Sequence, residues 1–168
     1  MNTISAQIFY HETNNIQYPT IKLLLDGKVI NEPLDSFEFA ITIKPIEAKF
    51  IFTCSCGVAG CAGYHFGIKV KKKRNTVEWK FIDPIEARGV NRFYVFDRYE
   101  YEQTQQLVLD LYQKVVEELK ADTYSPDELE YISYEYNTVE PFNYQVDWYK
   151  DFRNNYPHEL LTPDLRCA

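Results

Sequence analysis

No apolar run in this chain approaches ~18 residues, the length a helix needs to cross a bilayer, so no spanning helix is expected. Histidine is scarce. His11, His65 and His158 leave few general bases of neutral pKa. There is no P-loop, no G-x-S-x-G, no G-x-G-x-x-G and no H-E-x-x-H, so phosphate cradling, acyl transfer and zinc proteolysis have no local signature. The absence of C-x-x-C removes the thioredoxin-like redox motif. The opening residues, MNTISAQIFYHET, have no basic stretch and no apolar core, so they do not read as a signal peptide. The expected compartment is therefore the cytoplasm, where the four cysteines stay reduced. Glycine is sparse too, and four of the six fall between Gly57 and Gly67. No repeat, low-complexity tract or linker divides the chain.

Aromatic residues, by contrast, are abundant: fourteen Tyr and eleven Phe stand against one Met. Tyrosine joins an apolar body to a polar tip, so the excess points to a thick sheet core or to a contact surface. At 168 residues the chain suits one domain, 1–168, burying roughly two-thirds of its unfolded surface. The net charge of −7 hides an asymmetry. Residues 1–98 carry thirteen Lys/Arg against ten Asp/Glu, whereas residues 99–168 carry five against fifteen and hold ten of the tyrosines. An acidic surface repels nucleic acid and draws basic partners, so direct nucleic-acid binding is not expected. The cluster Lys71-Lys72-Lys73-Arg74 leaves that question open.

Period-2 patterning dominates residues 1–100. Ile4, Ala6, Ile8 and Tyr10 alternate with polar residues, and Ile21, Leu23 and Leu25 repeat the pattern up to Asp26-Gly27, a pair that favours a two-residue hairpin turn. Asn31 to Ser36 reads as a loop. FEFAITI then places Phe37, Phe39, Ile41 and Ile43 on one face of a strand ended by Pro45. Phe50, Phe52, Cys54 and Cys56 share a face of the next strand, opposite Ile51, Thr53 and Ser55. A hairpin follows, with Tyr64, Phe66, Ile68 and Val70 inward, a turn at Lys72 to Asn75, and Val77, Trp79 and Phe81 inward on return. RFYVFDRYE makes one more strand.

From about Thr104 the period becomes helical, with Leu107, Leu111, Val115 and Leu119 recurring at i+4 and Val108 and Tyr112 widening the stripe. Ser125-Pro126-Asp127-Glu128 is a helix start with a capping box. Asn143 reads as the cap of a last helix carrying Val146, Tyr149 and Phe152, before a tail broken by Pro157 and Pro163. Strands first and helices later predict an α+β domain. The expected form is one antiparallel sheet of about six to eight strands, with two or three C-terminal helices on one side. Residues 1–100 are mainly β; residues 101–168 are mainly α, acidic and Tyr-rich.

Four groupings bear on chemistry. Cys54, Cys56, Cys61 and His65 present zinc-binding side chains around a turn made by Gly57, Gly60 and Gly63. C-x-C is unusual spacing for zinc, however, and alternation sends His65 to the opposite face, so buried reduced thiols explain the cysteines equally. Cys56 or Cys61 with His65 and an acid such as Glu78 would be a Cys-His pair, without supporting motif. Scattered carboxylates read as solvated surface. The strongest grouping is the interleaving of acids with rings from Glu117 to Asp151: Asp127, Glu128, Glu130, Tyr131, Tyr134, Glu135, Tyr136, Glu140, Asp147, Trp148 and Tyr149. Charge steers encounter with a basic partner, and rigid aromatics bury area at low entropic cost. The plainer alternative is a solvated helix pair whose tyrosines pack partly on the sheet.

The run Cys54-Ser55-Cys56-Gly57-Val58-Ala59-Gly60-Cys61-Ala62-Gly63, followed by strand, turn and Val77-Glu78-Trp79, resembles a signature of small acidic bacterial proteins. Those proteins are similar to immunity proteins of polymorphic-toxin and contact-dependent growth inhibition systems. The resemblance covers residues 50–82. It implies a non-catalytic cytoplasmic protein, with no cofactor and no membrane partner, that neutralises the C-terminal domain of a cognate, basic, nuclease-like toxin. In such a protein the cysteine turn is scaffold and the acidic segment is the binding face; the position of His65 need not be histidine. A zinc-stabilised module using Cys54, Cys56 and Cys61 and an enzyme of another kind are the alternatives.

Overall fold

A computed structural model describes residues 1–13, 15–42, 44–53, 67–82, 91–121, 124–132 and 141–155. Strands β1 (Ile4–Thr13) and β2 (Ile16–Leu25) form a long antiparallel hairpin, in register from Ile4 opposite Leu25 to Thr13 opposite Ile16. As the alternation predicts, Ile4, Ala6, Ile21, Leu23 and Leu25 are buried, while Tyr10 near the far end emerges into solvent. Asp26 and Gly27 take φ of 51° and 75°, the two positive angles of a type I′ turn, and strand β3 (Lys28–Val29) returns along β2.

The first four residues of the expected strand FEFAITI, Phe37 to Ala40, are instead helical. Helix α1 (Ser36–Ala40) starts because the Asp35 carboxylate accepts from the Glu38 N–H at 2.8 Å, satisfying a donor that the first turn leaves open. Local capping thus outweighs the alternation there; Ile43 lies outside the described residues. Strand β4 (Ile46–Lys49) follows. Residues 50–53 also depart from a two-faced strand, because Phe50, Ile51, Phe52 and Thr53 are all buried. Their backbone is held by the loop before α1, through Asp35 N–H to Ile51 O and Thr53 N–H to Pro33 O.

Strands β5 (Ile68–Lys72) and β6 (Thr76–Phe81) form the predicted hairpin from Ile68 onward, Tyr64 and Phe66 lying outside the described residues, and β7 (Phe93–Asp97) pairs along β6. The seven strands among the described residues are not one sheet. They form a three-stranded sheet, β1-β2-β3, and a four-stranded sheet, β4-β5-β6-β7. These meet at Asn2, whose N–H donates to Val95 O at 2.8 Å and whose Oδ1 accepts from Val95 N–H at 2.9 Å. Asn2 also donates from its amide to Asp26.

Helix α2 (Arg98–Lys120) begins six residues before the predicted start, capped by Asp97, whose carboxylate accepts from the N–H groups of Tyr99 and Glu100. Its buried stripe is Tyr101, Thr104, Val108, Tyr112, Val115 and Leu119; Leu107 faces solvent. Helices α3 (Pro126–Ile132) and α4 (Phe142–Asn155) complete the C-terminal set. Ser125 and Glu128 form the predicted capping box in both directions. At α4, by contrast, Pro141 holds the cap position, its carbonyl accepting from Gln145 N–H, and Asn143 lies inside the first turn.

Both sheets and α2 share one core, centred on Trp79. That ring is wholly buried, meets Phe39, Phe96 and Tyr101 edge-on at 6.1, 5.2 and 5.9 Å, and donates its N–H to the Tyr101 hydroxyl at 3.2 Å. A satisfied indole at the centre of four elements fixes α2 across the inner face of the four-stranded sheet.

Candidate functional site

Helix α4 has two faces at helical spacing. Gln145, Tyr149 and Arg153 point inward at i, i+4 and i+8. The Tyr149 ring stacks on Phe37 at 5.8 Å, and Phe142 packs against Phe37 and Tyr112. Arg153 Nε lies 3.1 Å from Glu38 Oε2, and its terminal nitrogen donates to Ala48 O at 3.2 Å. These contacts tie α4 to α1 and β4.

The pair belongs to a buried polar network. The second Glu38 oxygen accepts from Phe50 N–H at 2.9 Å. Lys49, almost wholly buried, donates to the carbonyls of Glu38, Phe39 and Ile41 at 2.7, 3.3 and 2.6 Å, satisfying the end of α1. Glu47 sits 3.3 Å from the same ammonium without hydrogen-bond geometry. Burial pushes the Lys49 amine below the usual lysine range, opposed by Glu47 and Glu38. Such a network has the chemistry of a structural lock, because Glu38, Lys49 and Arg153 direct their polar atoms at one another and at nearby backbone.

The outer face of α4 carries Tyr144, Asp147, Trp148 and Asp151, spaced i, i+3, i+4 and i+7, hence one continuous stripe. Tyr144 is 58% and Trp148 56% exposed, and Trp148 stacks on the half-buried Phe152 at 5.3 Å. The contact with Phe152 holds the indole in a fixed pose, so little freedom is lost when a partner covers it. Asp147 meets Lys150 at 3.7 Å in an exposed pair of little energetic consequence.

A second acidic group lies where α2 ends and α3 begins. Glu118 accepts from the Tyr10 hydroxyl at 3.2 Å, Tyr124 donates to Gln17 O at 3.1 Å, and Glu117 and Asp127 are exposed. The field here is negative. The Glu118 carboxylate raises the Tyr10 phenol above its ordinary value, and burial, followed by Glu118, raises that of Tyr124. Glu128 is held below the usual carboxylate range by its hydrogen bonds from Ser125.

Of the predicted site residues, Asp127, Asp147 and Trp148 are exposed, and Glu128 is half-buried in its capping box. Tyr149 is core. Glu130 and Tyr131 belong to α3, but their side chains lie outside the described residues, as do Tyr134, Glu135, Tyr136 and Glu140. Cys54, Cys56, Cys61, His65, Gly57, Gly60 and Gly63 also lie outside them. Among the described residues no three His, Cys, Asp or Glu side chains converge as a metal site. Sequence reasoning included Tyr144, Asp151, Glu118 and Tyr124 only as part of the Glu117–Asp151 segment, without singling them out, and did not include Tyr10. The helical spacing of the first two was available as a signal; the last three meet only through tertiary pairing. Comparison with protein families, curated proteins and solved structures finds no match to this chain.

Proposed function

We propose that this chain is a non-catalytic immunity protein of the cytoplasm that binds and neutralises a cognate bacterial toxin domain with a basic, nuclease-like surface. The observation that carries the reading is the outer stripe of α4, where two exposed rings alternate with two carboxylates on a helix anchored from behind. A rigid indole at the centre of a patch supplies binding energy, and the surrounding acids supply encounter rate and orientation toward a cationic cleft. Asp127, Glu128 and the α2–α3 acidic group extend the same chemistry, as do Glu130, Tyr131, Tyr134, Glu135 and Tyr136 in the reading. No residue is assigned a catalytic role, and no cofactor is required. Among the described residues no helix is long and apolar enough to cross a membrane.

The test begins with the neighbouring gene, which should encode a large toxin immediately upstream. Its C-terminal domain, purified with this protein, should form a complex. Trp148→Ala should weaken that complex by about 2 kcal/mol or more. Asp147→Lys with Asp151→Lys should slow association and flatten its salt dependence. Unchanged affinity in both variants would move the interface elsewhere.

A further inference from the structure

The four-stranded sheet has an inner face covered by α2 and an outer face covered by nothing among the described residues. Its register sets two rows across that outer face. One runs Ala48, Lys69, Lys80, Phe93; the other runs Ile46, Lys71, Glu78, Val95. Lys69, Lys71 and Lys80 are exposed, and Phe93 and Ile46 are about half exposed. Lys69 stands directly opposite Lys80, a like-charge cross-strand pair that is unfavourable in the free protein. The one carboxylate in these rows, Glu78, is already paired with Lys73. Strand alternation also divides the basic run Lys71 to Arg74: Lys72 turns inward to Gln105 and Glu102 and lies over the Tyr101 ring, whereas Lys71 joins the outer face. Arg92 and Arg74 stand exposed at the strand ends.

We propose that this outer face binds single-stranded nucleic acid. A flat surface that opposes two ammonium groups with no free acid between them is relieved by a polyanion. The exposed Phe93 ring, next to Lys80 in the same row, offers a stacking platform to a base, which an acidic peptide or a lipid headgroup would not use. Neighbouring strands lie about 4.8 Å apart and diagonal neighbours about 7–8 Å, so the three lysines form a compact set able to follow a bent, flexible strand. Helix α4 packs on Phe37 of α1 and Tyr112 of α2, elements that cover the inner face, and at physiological salt charges more than about 8 Å apart are largely screened. The overall charge of −7 therefore does not describe this face. The surface is separate from the docking stripe on α4, and the inference does not rest on the toxin-binding reading.

Fluorescence anisotropy of the full chain with a labelled oligouridylate of about twelve nucleotides tests it. Binding should weaken with salt, with a slope of log affinity against log salt of about −2 for three phosphate contacts. Lys69→Gln with Lys80→Gln should bring the slope to about −0.7. Phe93→Ala should weaken binding about tenfold or more with little change in slope. Both variants alter exposed side chains, and circular dichroism and urea unfolding should match the parent. Absence of binding overturns the proposal, as does equal affinity for poly-glutamate, or for vesicles containing phosphatidylserine without affinity for the oligonucleotide. An unchanged affinity in Phe93→Ala overturns it as well. If the sheet-face variants lose the oligonucleotide yet retain the toxin domain, the two surfaces are independent.

Discussion

Glu38→Ala removes the carboxylate that faces Arg153 and accepts from Phe50 N–H, and both groups are then left buried without it. The side chains of Arg153 and Glu38 are 8% and 3% exposed, so water does not replace the lost partner in place. Breaking a buried ion pair from one side costs about 3–5 kcal/mol. A domain of this kind has a total stability of about 5–15 kcal/mol, so the single variant should lose a large fraction of it. Arg153→Met should lose a similar amount by removing the cation that faces the buried Glu38 carboxylate. The double variant Glu38→Met with Arg153→Met removes both charges and keeps apolar volume, and should be more stable than either single variant. Urea unfolding in a Trp148→Phe background reports on this, because Trp79 is then the remaining indole and is wholly buried. If the two single losses are small and simply add, Arg153 reaches solvent at no cost, and the description of α4 as locked to α1 is wrong.

Asp35 caps α1, and burial, then the nearby Glu38, push its carboxyl up to about 7, against the hydrogen bonds it accepts from Glu38 and Phe37. The folded state therefore holds a proton that the unfolded chain releases near pH 4, so stability should fall as pH rises from about 4 to about 7. Asp35→Asn keeps a capping oxygen and should remove that part of the pH dependence in urea titrations; an unchanged profile would contradict it. Gly67 has a φ of 71°, and a Cβ built there would lie 2.6 Å from Lys49 O. Gly67→Ala should thus cost about 1–3 kcal/mol or more, read as a lowered melting temperature, with a neutral result refuting the close approach. Glu118→Gln should return the Tyr10 phenol toward its ordinary value in a spectrophotometric titration, with no shift expected from Glu100→Gln as control.

The elements legible in the sequence are those in which one signal is uncontested. The β1–β2 hairpin and the Asp26-Gly27 turn follow from clean alternation ended by residues that accept positive φ. The two clear misreadings share a cause. Asp35-x-x-Glu38 and Asp97-x-x-Glu100 are each an acidic cap followed three residues later by glutamate; the first runs into, and the second lies inside, a stretch whose apolar residues alternate like a strand. In both, the carboxylate that satisfies open N–H groups decides the conformation, as the Ser125-x-x-Glu128 box does where no alternation competes. The division into two sheets was not legible, because it turns on Asn2 pairing with Val95 across 93 positions. The docking stripe was half legible: Asp147 and Trp148 stood out by type, whereas the inward turn of Tyr149 follows from Phe37, which the sequence had placed in a strand.

The charge split along the chain becomes a split in space once burial is counted. In the strand-rich half, Lys49 and Lys72 point inward and are matched by Glu47 and Glu102, so they contribute little to the outside. Lys69, Lys71 and Lys80 of strands β5 and β6 stay exposed on the outer face of the sheet, with Lys73, Arg74 and Arg92 at the strand ends. Asp127 of α3 and Asp147 and Asp151 of α4 are exposed, the inward positions of α4 being taken by Gln145, Tyr149 and Arg153. Between the two lies the core in which Trp79 of β6 donates to Tyr101 of α2. Two surfaces of opposite sign on opposite sides of a rigid core respond oppositely to charge reversal. Lys-to-Glu changes on the sheet should weaken anion binding and leave the α4 stripe intact, and Asp-to-Lys changes on α4 should do the reverse. A variant on one side that altered both bindings equally would mean that long-range charge, and not the local faces, controls association.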